Sequence, residues 1–307
     1  MNIVVLGAGA VGCYYGGRLA EAGHDVTLIG RPAHVAAIGE HGLTIDSRIS
    51  GISKSRPSVA KTFPPDLQPD LIFISVKAFD TETAARSLPS DLSSKTVVLS
   101  LQNGVGNQSA AQGVLPSGVA VYPTVVYGAV GIARPGVVSH QGRGEIVLPE
   151  ELSHLAGMFE EAGVPAGTTA NIEGMLWNKL LLNASLNALS MITDTSFGAL
   201  AGSPHGRAVV ERAVAEVIAV AETVGVDIGI NDPAQKVLET AESLGSGMSS
   251  MWQDFRAGKR IEIDALNGVV VTLGQENGIA TPVNATLHAA ASLMEQRRDA
   301  ARSAVGG

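Results

Sequence analysis

Met1 to Leu6 is a short apolar run rich in β-branched residues, and it stops at Gly7-Ala8-Gly9-Ala10-Val11-Gly12. Cys13 to Ala20 then reads as a helix. Strand, glycine turn and helix in that order form the setting in which Gly-x-Gly-x-x-Gly is informative. Gly7 allows the tight turn. Gly9 removes a side chain where a pyrophosphate must approach the backbone, and Gly12 lets helix and strand pack closely. The unpaired N–H groups and positive dipole end of the helix then face the phosphates. The chain holds 36 glycines, so a glycine-rich turn of some other α/β protein is the alternative.

The next strand says which dinucleotide. Asp25 to Gly30 reads as the second strand and ends at Arg31-Pro32. About 20 positions beyond the glycines such folds meet the adenosine ribose, and an acid there accepts from a free 2′-hydroxyl. No acid stands at this strand end. Arg31 does, and a guanidinium suits a 2′-phosphate by charge and bidentate hydrogen bonding. The reading is NADP(H), against a solvated arginine that merely starts a helix.

Pro32 to Glu40 reads as that helix, and His41 to Val59 as short strands on a polar loop. Asp70 to Val76 and Lys95 to Leu101 are near-continuous apolar strands, as expected of a parallel sheet covered on both faces. Lys77 and Gln102-Asn103-Gly104 follow their carboxyl ends, where ligands of open α/β sheets lie. Thr81 to Leu88 is helical. Val119 to Val126 reads as one more strand, Tyr127-Gly128-Ala129 and Arg134-Pro135-Gly136 as turns, and Val137 to Pro149 as a hairpin with His140 in a structural role. Glu150 to Ala162 is a helix, and a last extended piece lies near Ala166 to Asn171. Beyond Ile172 everything reads as helix. The expected division is 1–170 for a cofactor-binding α/β domain and 171–307 for an all-α substrate domain. The tail from Ala301 to Gly307 is expected to fray.

Composition narrows the partners. A net charge of −8 offers no basic footprint for nucleic acid. The single cysteine, Cys13, excludes an internal disulfide or a cysteine metal cluster, and it reads as a buried packing residue. No metal is expected. No uncharged apolar run approaches the ~20 residues of a membrane span, and no leader is visible, so the expected location is the cytoplasm.

Lys179, Asn183 and Asn187 stand at i, i+4 and i+8 in a helix otherwise mainly of leucine and alanine. At about 100° per residue they share roughly 80° of one face. A helix apolar on most sides is buried, so a narrow Lys-Asn-Asn stripe lines a cavity, where a ligand can satisfy the amides. Ser250, three residues before Gln253, has capping-box spacing, and a serine at a helix start can also meet a carboxylate. Glu262, flanked by isoleucines, is expected to be partly buried; Asp264 is an equal candidate.

Together these stretches resemble the ketopantoate reductases (2-dehydropantoate 2-reductases). The resemblance rests on the glycine turn at 7–12, Arg31, Ser75-Val76-Lys77-Ala78, Gln102-Asn103-Gly104, Arg134-Pro135-Gly136 with His140-Gln141-Gly142-Arg143-Gly144, Trp177-Asn178-Lys179 with Asn183 and Asn187, and Ser249-Ser250-Met251 leading to Glu262-Ile263-Asp264. It implies a Rossmann-type N-terminal domain, a helical C-terminal domain and NADPH in the cleft between them. It implies reduction of ketopantoate to (R)-pantoate, a step toward pantothenate and coenzyme A, with Lys179 as proton donor. Asn183, Asn187 and Ser250 would hold the substrate, and Asn103 would touch substrate and cofactor. Gly7, Ala8, Gly9, Ala10, Val11, Gly12, Arg31, Lys77, Ala129 and Glu262 would lie along the cofactor. A further substrate contact of the family has no clear counterpart here, and Asp194 and Ser196 are both candidates. Two other readings stay open: an NADPH-dependent reductase of another branched 2-oxo acid, and a redox sensor that binds NADP(H). The apolar helices of the second half suit either a homodimer interface or the domain's own core.

Overall fold

A computed structural model describes residues 1–305. The chain forms two compact units. One comprises Met1–Gln102 and Gly106–Ile172; the other comprises Asn103–Val105 and the chain from Glu173 onward.

The first unit holds eleven strands: β1 (Asn2–Leu6), β2 (Asp25–Ile29), β3 (Leu43–Ser47), β4 (Gly51–Ser55), β5 (Ser58–Ala60), β6 (Leu71–Ile74), β7 (Val97–Ser100), β8 (Ala120–Pro123), β9 (Val125–Arg134), β10 (Val137–Pro149) and β11 (Ala166–Thr169). Six of them make a wholly parallel sheet in the order β5-β2-β1-β6-β7-β8. Alternate side chains enter two different cores. Ile3, Val5, Leu28, Phe73 and Leu99 join one, and Val4, Leu6, Ile29, Ile72 and Val98 join the other. Burial on both faces explains the unbroken apolar runs of β1, β6 and β7. The strand order reverses between β1 and β6, the switch point outside which ligands of open α/β sheets bind. The glycine turn follows β1, and Ser75–Lys77 follows β6.

A second sheet is built on β10. β9 runs antiparallel along nearly its whole length. β3 pairs in parallel with its first half and β11 with its second, and β4 pairs antiparallel with β3. Three expectations change here. Val119 to Val126 is not one strand but the end of one sheet and the start of the other. Tyr127-Gly128-Ala129 is not a turn but the interior of β9. Val137 to Pro149 is not a hairpin but one bulged strand, whose register shifts around Gly142 and Arg143. Arg143 (φ 59°) and Gly144 (φ 130°) absorb the bulge. The buried His140 sits beneath it, bonded to Ser47 Oγ at 2.9 Å and to the Arg143 carbonyl at 2.5 Å.

The short helix Asn107–Gln112 was not legible, because left-handed Gly106 at its start reads as loop. The second unit is helical, as expected. Its central helix, Ile172–Thr193, buries 13 of 22 residues, which makes it the core element around which the others pack. Pro204–Thr223, Pro233–Leu244 and Pro282–Val305 each begin with proline at the first helical position, where a missing N–H costs nothing. The terminal helix runs to Val305 rather than fraying at Ala301. Arg298 anchors it by donating to the Phe255 and Lys259 carbonyls at 3.1 and 2.9 Å. Residues 306–307 of the expected tail lie outside the described residues.

Candidate functional site

In the first unit the site is main chain. Gly7 takes φ +105°, and a Cβ there would lie 2.6 Å from Val76 N, on the end of β6. The Gly7 and Ala8 amides both donate to Ile29 O, at 3.0 and 2.8 Å, which ties the turn to the end of β2. Ser75 Oγ donates to Gly7 O at 2.9 Å. A Cβ on Gly12 would overlap Gly7 O and Ser75 Oγ, so this glycine is demanded by packing. Gly9 differs: its Cβ would find nothing nearer than Gly7 O at 3.9 Å. The protein itself leaves that space open. The Ala10–Glu21 helix that starts there has no side-chain cap and no acid in its first turn. Open space before uncapped amides fits a pyrophosphate.

Arg31 is exposed immediately after β2 and occupies the N-cap position of the Pro32–His41 helix. Gly30 beside it is required, since a Cβ would come within 2.6 Å of Ala8 Cβ. Half-buried Lys77 starts a short 3₁₀ turn, Ala78–Asp80, after β6. Gln102 Nε2 donates to Val76 O at 3.0 Å and to Thr81 Oγ1 at 2.7 Å, joining the carboxyl ends of β6 and β7. Ala129 is exposed on β9 opposite Gly142, in the second sheet rather than at the switch point. Cys13 is fully buried, and burial pushes its thiol up to about 12. Its Sγ lies 3.4 Å from His34 Nε2. It packs and does not ionise.

In the second unit the site is side chain. Lys179 and Asn183 are half-buried and Asn187 is 5% exposed, all on the central helix. Asn187 Nδ2 donates to Asn183 Oδ1 at 3.3 Å, the i,i+4 contact that the stripe requires. The helix Ser250–Arg256 is capped by Ser249, not by Ser250 as its spacing suggests. Ser249 Oγ accepts from Trp252 N at 3.0 Å and donates to Asn187 O at 3.0 Å. That long-range acceptor sets the cap one residue early and leaves Ser250 exposed on the first turn. Asp194 Oδ1 accepts the Trp252 indole N–H at 2.5 Å, while Ser196 precedes the Phe197–Gly202 helix without capping it.

Glu262 and Asp264 separate. Glu262 is half-buried between buried Ile261 and Ile263. Asp264 is exposed and engaged by His288 at 2.8 Å and Arg260 at 3.7 Å. Asp264–Gly268 is a π-helical turn rather than the start of a regular α-helix. Half-buried Asn103 belongs with this unit; Gly104 beside it has φ +87°, and a Cβ there would collide with Ala265 O. Sequence reasoning named Ser249 and Gly30 without giving them a role, and it gave none to buried Asn267. The signal for Asn267 was an amide inside the apolar run from Ala265 to Val271. Among the described residues no cluster of His, Cys, Asp and Glu could hold a metal, and no helix is long and apolar enough to cross a membrane.

A 42% identical protein of known structure, a PanE/ApbA family ketopantoate reductase from Ralstonia eutropha JMP134, superimposes with a TM-score of 0.91 over 97% of this chain and 100% of its own. A D-mandelate dehydrogenase solved with NADH and anilino(oxo)acetate is 27% identical, with a TM-score of 0.87 over 97% of this chain and 100% of its own. The 2-dehydropantoate 2-reductase of Halobacterium salinarum is 34% identical over 295 residues, 94% of this chain and 96% of that one. The models of ketopantoate reductase PanE/ApbA and of its C-terminal domain match residues 3–151 and 171–295. By both halves of its length, the chain belongs to the PanE/ApbA ketopantoate reductase family.

Proposed function

We propose that this chain reduces 2-dehydropantoate to (R)-pantoate with NADPH, the step that feeds pantothenate and coenzyme A synthesis. The observation that carries the reading is the Lys179-Asn183-Asn187 stripe on a core helix. In this reading 1–170 holds the cofactor and 171–307 carries the substrate chemistry. The glycine turn, with its open Gly9 and uncapped amides, would take the pyrophosphate. Arg31 would meet the 2′-phosphate, and Lys77, Asn103, Ala129 and Glu262 would lie along the rest of the molecule. A bound nicotinamide supplies the hydride to C2 of the acid.

Lys179 does the complementary work. Its ammonium donates a hydrogen bond to the 2-oxo oxygen, stabilises the charge that develops there, and passes that oxygen a proton, which completes the 2-hydroxy acid. Such general-acid assistance contributes typically ~10²–10⁴-fold. Asn183 and Asn187 fix the orientation of the acid. Asn103 would contact substrate and cofactor alike, and the exposed Ser250 would meet the carboxylate. A cytoplasmic enzyme acting on a small-molecule acid, as a monomer or a homodimer, fits this chemistry.

A second substrate reading has its own support. The D-mandelate dehydrogenase relative was solved with NADH and anilino(oxo)acetate, and Asp194 here is taken by the Trp252 indole, which leaves Ser196 as the remaining candidate for an extra polar contact. The test is NADPH oxidation at about 340 nm with ketopantoate, run beside NADH and a panel of 2-oxo acids. NADPH-preferring turnover of ketopantoate is expected. Turnover of another acid alone moves the substrate and keeps the mechanism; turnover of none overturns the reading and favours a sensor.

A further inference from the structure

The helix that carries Lys179 is held by two side chains that no step of the reaction uses. Ser249 Oγ donates to Asn187 O at 3.0 Å, and Asn267 Nδ2 donates to Ala184 O at 2.8 Å. Ser249 is 1% exposed and Asn267 is fully buried. Both carbonyls lie in mid-helix, where each already accepts from the amide four residues on, so neither bond repairs a helix end. Asn267 leaves its own Oδ1 buried with no partner, and an orphaned acceptor is a stability cost.

The sense of the Asn267 amide is fixed from behind. Glu216 accepts from the Val283 and Asn284 amides and from Asn284 Nδ2, at 2.7, 2.8 and 2.7 Å. This turns Asn284 Oδ1 toward Asn267 Nδ2 at 3.0 Å, so Asn267 can only donate to Ala184. Each grip also comes from a segment that carries another candidate site residue. Ser249 precedes Ser250. Asn267 lies in the π-turn that follows Glu262, and the Ala265 carbonyl of the same turn abuts Gly104 beside Asn103.

We propose that Ser249 and Asn267 are positioning residues that set the rotation of the Lys179-Asn183-Asn187 helix against Ser250, Glu262 and Asn103. The lever is short. A rotation of about 10° moves a side-chain tip about 5–6 Å from the helix axis by about 1 Å, and a misplacement of about 1 Å can cost ~10²-fold in rate. The catalytic part of this inference rests on the 2-oxo acid reductase reading.

The test compares Ser249→Ala, Asn267→Leu and the double variant with the wild type, in kcat, in both KM values and in NADPH affinity by fluorescence. Expected is a fall in kcat/KM for the oxo acid of about 10–100-fold, with KM for the acid raised and NADPH affinity within about twofold. A loss of folded enzyme cannot raise a KM, so an activity loss that only tracks the NADPH-binding fraction, with KM for the acid unchanged, overturns the proposal. If the wild type reduces no oxo acid, the function reading fails, and hydrogen exchange decides the grip by itself. Faster exchange over 183–190 in both single variants supports it, and unchanged protection there overturns it.

Discussion

The two units carry candidate site residues of opposite kinds. The first uses absence: no Cβ at Gly7, Gly9 and Gly12, no cap on the Ala10–Glu21 helix, no acid after β2. The second uses presence: one ammonium and two amides on a helix that is otherwise core. A main-chain site is specified by what must be missing at a few adjacent positions, so it tolerates almost no added atom. A side-chain site is specified by what holds its helix, and its dependence is spread over distant segments such as 249–252 and 264–268. Substitutions should therefore fail differently in the two units.

Lys179→Ala should give the largest effect. It is expected to lower kcat by at least ~10²-fold while leaving NADPH affinity nearly intact; steady-state kinetics with ketopantoate checks it, and near-normal kcat would remove Lys179 from the chemistry. The glycine turn offers an internal control of the other kind. Gly12→Ala drives a methyl into Gly7 O, Ser75 Oγ and Val5. Overpacking of this kind costs about 1–3 kcal/mol or more, so thermal unfolding should move down by several degrees and cofactor binding should be lost with it. Gly9→Ala meets only open space on the protein side, so Tm should be unchanged while NADPH affinity drops about tenfold or more. Equal losses of Tm in the two variants would show that Gly9, too, serves packing.

The same contrast explains what could be read in advance. The glycine turn and the stripe are local patterns, the first six residues long and the second a helical period, and both survive in one dimension. What failed was set by distant partners. Ser250 has the better capping spacing, yet Ser249 caps, because its hydroxyl finds Asn187 O, 62 residues away. Glycines at 128, 142 and 144 carry the signature of turns. They lie inside β9 and β10, and of the three only Gly144, at φ 130° beside the bulge, takes a backbone conformation that favours glycine. Glu262 and Asp264 are equivalent by sequence and diverge in the fold, where Glu262 is half-buried and Asp264 is exposed and engaged by His288 and Arg260.

Arg31 lies between the two kinds of site, a side chain placed by main-chain geometry. It follows Gly30, whose lack of a Cβ lets Ala8 approach, so its position beside the glycine turn is fixed even though its side chain is exposed. Arg31→Ala should raise KM for NADPH by about 10–150-fold, a charge-assisted contact to phosphate being worth roughly 1.5–3 kcal/mol, and should leave KM for NADH within about twofold. An equal change for both cofactors would refute the 2′-phosphate role.

The smallest effect tests whether the helix that Arg31 begins is held by a titrating group. His34 lies in the first turn of the Pro32–His41 helix. Its Nδ1 accepts from Gly136 N at 3.2 Å, so Nε2 carries the hydrogen that faces Cys13 Sγ at 3.4 Å. Burial lowers its pKa from the ordinary 6.5. The folded protein therefore resists a proton that the unfolded chain accepts. Above about pH 6.5 the ring is neutral in both states and the contact contributes fully. As the pH falls through 6.5 toward the depressed folded value, the unfolded chain protonates first and stability is lost. Scanning Tm from about pH 7.5 to 5, the wild type should decline more steeply than His34→Gln, by roughly 1–2 °C over that window. The Cys13 thiol, pushed up to about 12, stays neutral throughout and cannot supply the difference. Parallel curves would mean that protonating His34, which removes the Nδ1 acceptor of the Gly136 amide, costs the folded protein nothing, and the Arg31 helix would then be held by packing alone.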